Sequence, residues 1–289
     1  MLPDLLPRLR TPRDAVPGLH VLESAPLLRG ASGGLVTATL VGPNGEDPST
    51  VDEGIWDARG GAVPSRTLAQ LSNVVPPTPQ LYERVWRTHS LSSLSGRPFP
   101  MEEELDELDA AIGDVSGSVI VDVGCSEGLY ARHLAGRGGL VLAVDHSRPF
   151  LRRAVRRAAA ERVTIAATRA LAQRLPVVDG GADAVVIGGS LNEIGDLDGA
   201  VREAARVLRP GGALFLLSLA RAGSSPGRAL QRALRATGIV FPTPAATRSL
   251  LERHGLTVTA TRQDRVVLRT TARRAGRDGP VRTRARDEA

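Results

Sequence analysis

Four residues in fixed order carry the first chemical signal: Asp122, Gly124, Gly128 and Asp145. Val119-Ile120-Val121 is an apolar, β-branched run suited to a buried parallel strand, and Asp122 closes it. Gly124 and Gly128 bracket the turn Cys125-Ser126-Glu127, which opens into a helical stretch from Leu129 to Ala135. Glycines at such a crossover let the backbone turn tightly and let a ligand approach the main chain. The helix that follows presents unpaired N–H groups and a positive dipole end. Seventeen residues beyond Gly128, a second apolar strand, Leu140–Val144, ends in Asp145. An acid at that tip is where a nucleoside ribose is held by its hydroxyls. The stretch therefore predicts a nucleoside-containing cofactor, with NAD, FAD and other nucleosides all open at this point, as is a tight turn with no ligand.

Composition sets wide bounds. A chain of 289 residues can bury a full core and carry an appendage. Aromatics make up only 3%, so the core must be Val, Leu, Ala and Ile, and all 37 basic residues are Arg. Half of the net charge of +6 sits in residues 272–289, which makes charge weak evidence for a nucleic-acid partner. A single cysteine, Cys125, excludes an intramolecular disulfide and a multi-cysteine zinc site. With no apolar run near ~20 residues and a Pro-rich, acid-bearing N-terminus, a soluble cytoplasmic protein is expected, without membrane contact.

The elements that must position these residues follow from patterning. Residues 1–18, with four prolines, predict a flexible lead-in. Residues 19–61 predict a small β appendage with strands at His20–Leu22, Gly34–Val41 and Gly54–Trp56. Residues 62–117 predict a linker and lid helices, one over Gln80–Leu91 and one over Met101–Ile112. From 118 to 271 the pattern alternates β and α, as a doubly wound parallel sheet requires. Its later strands are expected at Val163–Ala166, Asp183–Ile187 and Ala213–Leu219. Between them, Ser147 predicts an N-cap for a helix to Ala160 whose Arg152, Arg153, Arg156 and Arg157 form a solvated outer face. Leu256–Thr261 and Arg265–Thr271 are joined too tightly for anything but an antiparallel hairpin. That ending departs from the all-parallel dinucleotide order and disfavours NAD. Residues 272–289 predict a disordered, Arg-rich tail.

On the motifs DVGCSEG (122–128), VLAVD (141–145), QRLPVVDGGADAVV (173–186) and LNEIGDLDGAVREAARVLRPGG (191–212), with the terminal hairpin, the chain resembles the class I S-adenosylmethionine (SAM)-dependent methyltransferases, specifically the UbiE-like, type-11 branch. The resemblance covers roughly residues 80–271. It implies an α/β Rossmann-like fold with a seven-stranded sheet of order 3-2-1-4-5-7-6, strand 7 antiparallel. It implies SAM as cofactor and S-adenosylhomocysteine as product. Gly124, Cys125, Ser126 and Gly128 would then lie under the methionine portion, Asp122 near its amino group and Asp145 on the ribose. His146 would flank the adenine, Gly188 and Gly189 would line the methyl channel, and Asn192 and Glu193 would sit at its edge. The segment PPTPQLYERVWR, followed by SGRPF, resembles a sub-branch in which a zinc-ribbon-like piece precedes the domain. Here that piece has no cysteine and no metal is expected.

One departure stands out. Where the family places an acid for the adenine amine, this chain has Leu171. Methyl transfer from a sulfonium needs alignment first and a base only when the acceptor still bears its proton. The expected catalytic residues are His89 and Tyr82, both on the lid. His20, His133, His254 and Tyr130 are read as structural, and Cys125 as packing, since no activating partner is evident. The expected function is methylation of an O, N or C nucleophile on a small, fairly apolar metabolite of specialised or quinone-type metabolism, by a monomer or homodimer. The alternatives are a cofactor-binding protein that does not methylate (cyclase-like or scaffold) and, third, an RNA methyltransferase. No aromatics interleave the arginines, so a nucleic-acid partner is not expected.

Overall fold

The β-branched run beginning at Val119 forms the middle of the molecule in the computed structural model, which describes residues 2–13, 15–30, 33–60 and 88–276. Numbered in chain order, the strands are β1 (His20–Val21), β2 (Leu28–Arg29), β3 (Leu35–Val41), β4 (Ser49–Asp52), β5 (Ile55–Asp57), β6 (Val119–Val123), β7 (Leu140–Asp145), β8 (Ala166–Arg169), β9 (Ala182–Gly188), β10 (Leu208–Leu219), β11 (Leu256–Asp264) and β12 (Val267–Arg274). The helices are α1 (Thr88–Ser95), α2 (Met101–Ile112), α3 (Leu129–Gly136), α4 (Arg148–Ala160), α5 (Leu197–Val207), α6 (Ser225–Arg235) and α7 (Pro244–Arg253). All the strands belong to one sheet of order β1-β3-β4-β5-β8-β7-β6-β9-β10-β12-β11, with β2 pairing β3 off that path. Counted from β6, the last seven strands stand in the order 3-2-1-4-5-7-6. β12 runs antiparallel to both its neighbours.

Every residue of β6 is buried, because apolar layers cover both faces of the sheet. On one face α2, α3 and α4 contribute Leu108, Leu134 and Leu151. On the other, α5 and α7 contribute Val201, Ala204 and Leu251. Asp196 caps α5 by accepting from Gly199 N, and Thr243 caps α7 by accepting from Ala246 N.

The N-terminal third departs most from expectation. Residues 19–61 are not a separate appendage, since β5 pairs in parallel with β8 and the sheet runs through without a break. Trp56 anchors that seam, fully buried, with its indole N–H on Ser49 Oγ at 2.9 Å. The lead-in is not loose either. Pro3–Arg8 forms a 3-10 turn whose Leu5 and Leu6, with Leu9 just after it, join the core cluster that also holds Val201 and Ala204 of α5. Burying each leucine contributes roughly 1.5–3 kcal/mol, enough to overcome the conformational freedom that the four prolines already limit. Arg10 then pins the segment to Glu203 of α5 at 3.3 Å and to the Leu175 carbonyl at 3.2 Å.

Smaller differences have local causes. The third methyltransferase-like strand is Ala166–Arg169 rather than Val163–Ala166, since its register is set against Leu142–Asp145. β10 starts early at Leu208 and bulges across Arg209–Gly212 before resuming at Ala213. The terminal hairpin turns at Arg265-Val266, with Arg265 at φ +50°, so β11 runs on to Asp264. β12 extends to Arg274, which carries the folded part beyond residue 271. The remainder of the expected tail, from residue 277, lies outside the described residues.

Arg152 and Arg156 stand exposed on the outer face of α4, while its other arginines are half-buried in ion pairs. Arg153 and Arg157 close on the buried Glu127 at 2.5 and 2.8 Å, and Arg152 reaches Glu53 at 2.7 Å. Arg148 holds Asp52 and Glu53 of the β4–β5 turn.

Candidate active site

The glycine turn is folded onto the neighbouring strand by its own backbone. Gly124 N and Cys125 N both donate to Val144 O, at 2.8 and 3.0 Å, so the tips of β6 and β7 are drawn together. Gly124 and Gly128 have φ of +69° and +75°, the left-handed region that favours glycine. A Cβ on Gly124 would lie 2.2 Å from Ser190 Oγ, which itself donates to Val123 O at 2.9 Å. The exit of β9 thus leans against the exit of β6, and no side chain could stand between them.

Both aspartates are buried at this edge. Asp122 accepts from Ala131 N in the first turn of α3 at 3.1 Å. Asp145 accepts from Ser126 N through Oδ2 at 2.9 Å and from Ser147 N through Oδ1 at 2.8 Å. Ser147 occupies the expected cap position of α4 without a side-chain cap bond. His146 places Nδ1 3.4 Å from Asp145 Oδ1. A carboxylate offers about four lone-pair sites, so two backbone N–H groups leave acceptor capacity for a vicinal diol. Ser126 Oγ is buried with no hydrogen-bond partner among the described residues. An orphaned hydroxyl beside a carboxylate with spare lone pairs, under a bend that only glycine fits, is a cradle able to take a ligand that carries hydroxyls.

The rest of the expected set divides. Gly188 ends β9, and its missing side chain is the space taken by the Tyr130 ring, 2.4 Å from where a Cβ would lie. Gly189, at φ +85°, hydrogen-bonds back to Leu217 O. Leu171 is half-buried in a short bridge with Arg174 just past β8. Asn192 does not face a channel. Its amide donates to Leu219 O and Val240 O at 2.7 and 2.6 Å and accepts from Leu219 N at 2.7 Å, tying the end of β10 to the strand-free segment beyond α6. Tyr82 lies outside the described residues. His89 falls in the first turn of α1, and its side chain lies outside them too.

Cys125 is buried, and that burial, with the charges of Asp122 and Asp145, pushes its thiol well above its ordinary pKa. A neutral thiol is neither a nucleophile nor a metal ligand at physiological pH. No group of three or more His, Cys, Asp or Glu able to hold a metal occurs among the described residues. His133 binds Asp109 at 2.9 Å and His254 binds Asp198 at 3.0 Å, both structural as expected.

One pair escaped the sequence reading. The Tyr130 hydroxyl donates to Glu104 of α2, and both residues are buried beneath the cradle, with Phe215 edge-on to the tyrosine ring at 6.0 Å. The amphipathic pattern of α2 marks Leu105 and Leu108 as inward but gives no reason for a carboxylate beside them. The only available signal was a tyrosine in the helix after the glycine turn, needing a partner for its hydroxyl.

Comparison with known proteins bears on the segment that carries this cradle and on the fold. The family model described as a methyltransferase domain matches residues 121–216, from β6 into β10. An uncharacterized chloroplastic methyltransferase of Arabidopsis thaliana is 35% identical over 139 residues, 46% of this chain and 39% of that protein. The ubiquinone/menaquinone biosynthesis C-methyltransferase UbiE of a Caulobacter species is 32% identical over 127 residues, 40% of this chain and 50% of that protein. The match thus spans half or less of each of these relatives. Among solved structures, a methyltransferase-like protein from Bacillus halodurans superposes with a TM-score of 0.54 at 14% identity, over 60% of this chain and 99% of that one. The [4+2]-cyclase SpnF does so with a TM-score of 0.55 at 18% identity, over 75% of this chain and all of that one. At those identities the structures speak for the fold alone. Residues 121–216 thus match a methyltransferase domain, and they are set in the α/β Rossmann-like fold that the solved methyltransferases share.

Proposed function

We propose that the protein transfers the methyl group of SAM to an O, N or C nucleophile of a small, fairly apolar acceptor. The observation that carries this reading is the hydrogen bond from Ser126 N to Asp145 Oδ2, which joins the glycine turn and the second strand tip into one cradle. In it, Asp145 would hold the ribose hydroxyls and Asp122 the amino-acid end, with Gly124 and Gly128 admitting the ligand to the backbone. When bound, SAM supplies an activated methyl on a good leaving group, so the chain has little bond chemistry of its own to perform.

What the residues do is orient and exclude. The fixed strand tips hold one reactant in a single pose, and such alignment can be worth roughly 7–11 kcal/mol of a bimolecular barrier. Gly188 and Gly189 would line the approach of an acceptor to the methyl, with the Tyr130 ring seated against Gly188. Where that acceptor still carries its proton, His89 or Tyr82 of the preceding segment would receive it. A soluble protein working as a monomer or homodimer fits this reading, and no described helix is long and apolar enough to cross a membrane.

The cyclase-like alternative keeps one observation in its favour. Leu171 stands where an acid would grip the adenine amine, so cofactor binding without methyl transfer is chemically consistent. The RNA alternative has less support, because three of the four arginines of the expected patch, Arg152, Arg153 and Arg157, are ion-paired within this chain, while Arg156 is exposed. Titration calorimetry with SAM and S-adenosylhomocysteine tests the cofactor, with binding of both expected and binding of neither excluding it. Incubating candidate metabolites or cell extracts with methyl-labelled SAM and following the label by mass spectrometry tests the transfer. Binding with no labelled product from any source would favour the alternative.

A further inference from the structure

The N-terminal strands end at the same edge as the cradle. Because β5 is parallel to β8, and β8 to β7, the pairings Asp57↔Arg169 and Asp145↔Arg169 set three charged residues in a row across neighbouring strand tips. Adjacent strands lie about 4.8 Å apart, so the row brings Asp57 within two strand spacings of Asp145. Arg169 links the outer acid of the row to the backbone beside the inner one. Arg169 donates through Nε to His146 O at 3.0 Å and sets Nη1 3.6 Å from Asp57 Oδ2. Asp57 in turn accepts a fork from Arg59, Nε to Oδ1 at 2.9 Å and Nη2 to Oδ2 at 2.7 Å.

We propose that Asp57 is a positioning residue for the cofactor's base, acting through Arg169 to fix the His146 backbone that flanks it. This rests on the SAM-binding reading of the cradle. Three observations support it. First, the position that the family resemblance assigns to the adenine amine is Leu171, whose side chain has no acceptor, so the base-side wall must take its shape from other residues. Second, Arg169 is half-buried, and burial together with the nearby Arg59 lowers its pKa. A guanidinium so placed needs a counter-charge to stay where it is, and Asp57 is the acid facing it. Burial opposes ionisation of Asp57 too, yet the hydrogen bonds and charge of Arg59, with the charge of Arg169, hold its carboxyl below the usual range. Third, the strand that presents Asp57 is rigid, with Ile55 and Trp56 buried and Ala58 N bonded to Arg169 O at 3.0 Å. The extension of the sheet is thereby part of the cofactor site, although it lies outside the matched domain.

Calorimetry on the full chain tests this with two ligands, S-adenosylhomocysteine and its inosine counterpart, S-inosylhomocysteine. Asp57→Ala is expected to weaken S-adenosylhomocysteine about tenfold, as loss of one charge-assisted contact would, and to narrow the preference for adenine over hypoxanthine. Arg169→Gln should do the same, the double variant should lose no more than either alone, and Asp57→Glu should recover most of the loss. Thermal unfolding checks that each variant is folded, and Arg169→Gln carries the test if Asp57→Ala is not. Unchanged affinity in folded variants would overturn the proposal. So would weakened affinity with the base preference intact, which is what a merely structural role predicts. If the unaltered chain binds neither ligand, the SAM reading itself falls, and this proposal with it.

Discussion

Two stretches of one sheet edge hold their acids in opposite ways. At the tips of β6 and β7, Asp122 and Asp145 are buried among backbone N–H groups. At the tip of β5, Asp57 is gripped by the Arg59 fork with Arg169 behind it. A carboxylate held by single backbone donors keeps lone pairs to offer, whereas one forked by a guanidinium has both oxygens engaged. The first arrangement suits a group that must accept a ligand, the second one that must stay still. The same contrast recurs at Glu127, inside the glycine turn itself, where Arg153 and Arg157 close on both oxygens. The turn therefore has a fixed acid pointing away from the cradle and an available acid, on the next strand, pointing into it.

Four outcomes would break or sharpen that contrast, taken from the largest effect down. Removing the available acid should hurt binding most. Asp145→Ala is expected to cost S-adenosylhomocysteine on the order of 100-fold in affinity, two hydrogen bonds to a charged group being lost at once. Calorimetry that found the loss below threefold would mean the ribose is held elsewhere.

The second outcome concerns what supports the fixed side. Leu5→Ala should destabilise the whole domain by about 2–5 kcal/mol, as for other buried leucines, read as one cooperative transition in urea. A change confined to a few tenths of a kcal/mol would return residues 1–18 to the loose lead-in their prolines suggest.

Third, Tyr130→Phe takes one hydrogen bond from the buried Glu104 and should cost about 0.5–3 kcal/mol of stability. Adding Glu104→Leu should cost less than the sum of the two single losses, because the two residues share that bond. Strictly additive losses in thermal or urea unfolding would show that the pair is not coupled.

The smallest effect is one of pH. Burial raises the pKa of Glu203, but hydrogen bonds from Arg206 and Leu175 N, with the charges of Arg206 and Arg10, outweigh it and hold the carboxyl below its ordinary 4.5. A group depressed on folding contributes stability that is complete above its unfolded pKa and fades as pH falls through the folded value. Stability curves measured below about pH 4.5 should therefore be steeper for the unaltered chain than for Glu203→Gln. Parallel acid limbs would show that the Arg10–Glu203–Arg206 clamp adds nothing to the docking of the N-terminal segment.

The parts legible from sequence were those whose signal is local. Val119–Val123 and Leu140–Asp145 are apolar runs with acids at their ends, and both lie within a residue of where patterning put them. Ser147 announced the start of α4 by residue type alone. The hairpin was legible because no other geometry spans so short a link. What patterning missed depends on partners far away in the chain. Leu5 and Leu9 look like residues of a proline-broken leader until α5 is there to receive them. Ile55–Asp57 is three residues long, too short to reveal that its edge belongs against Ala167 rather than in a separate unit. The arginines of α4 have a solvent-like spacing, and only the placement of the buried Glu127 draws Arg153 and Arg157 from that face into ion pairs. Within the site, the cradle's acids were legible since they close strands, while Glu104 was not, because nothing in the period of a helix marks a buried carboxylate.

The pairing of Ile55–Asp57 with Ala166–Arg169 also governs how the chain can assemble. A ribosome releases β5 long before β8 exists, so the first five strands emerge with their inner margin bare. Such a margin is a template for pairing with other chains until its own partner arrives. The last step is delayed as well, because β12, the final strand made, inserts between β10 and β11. Folding of this protein should therefore be slow and late, and its yield in cells should respond to chaperone supply and to translation speed across residues 58–166.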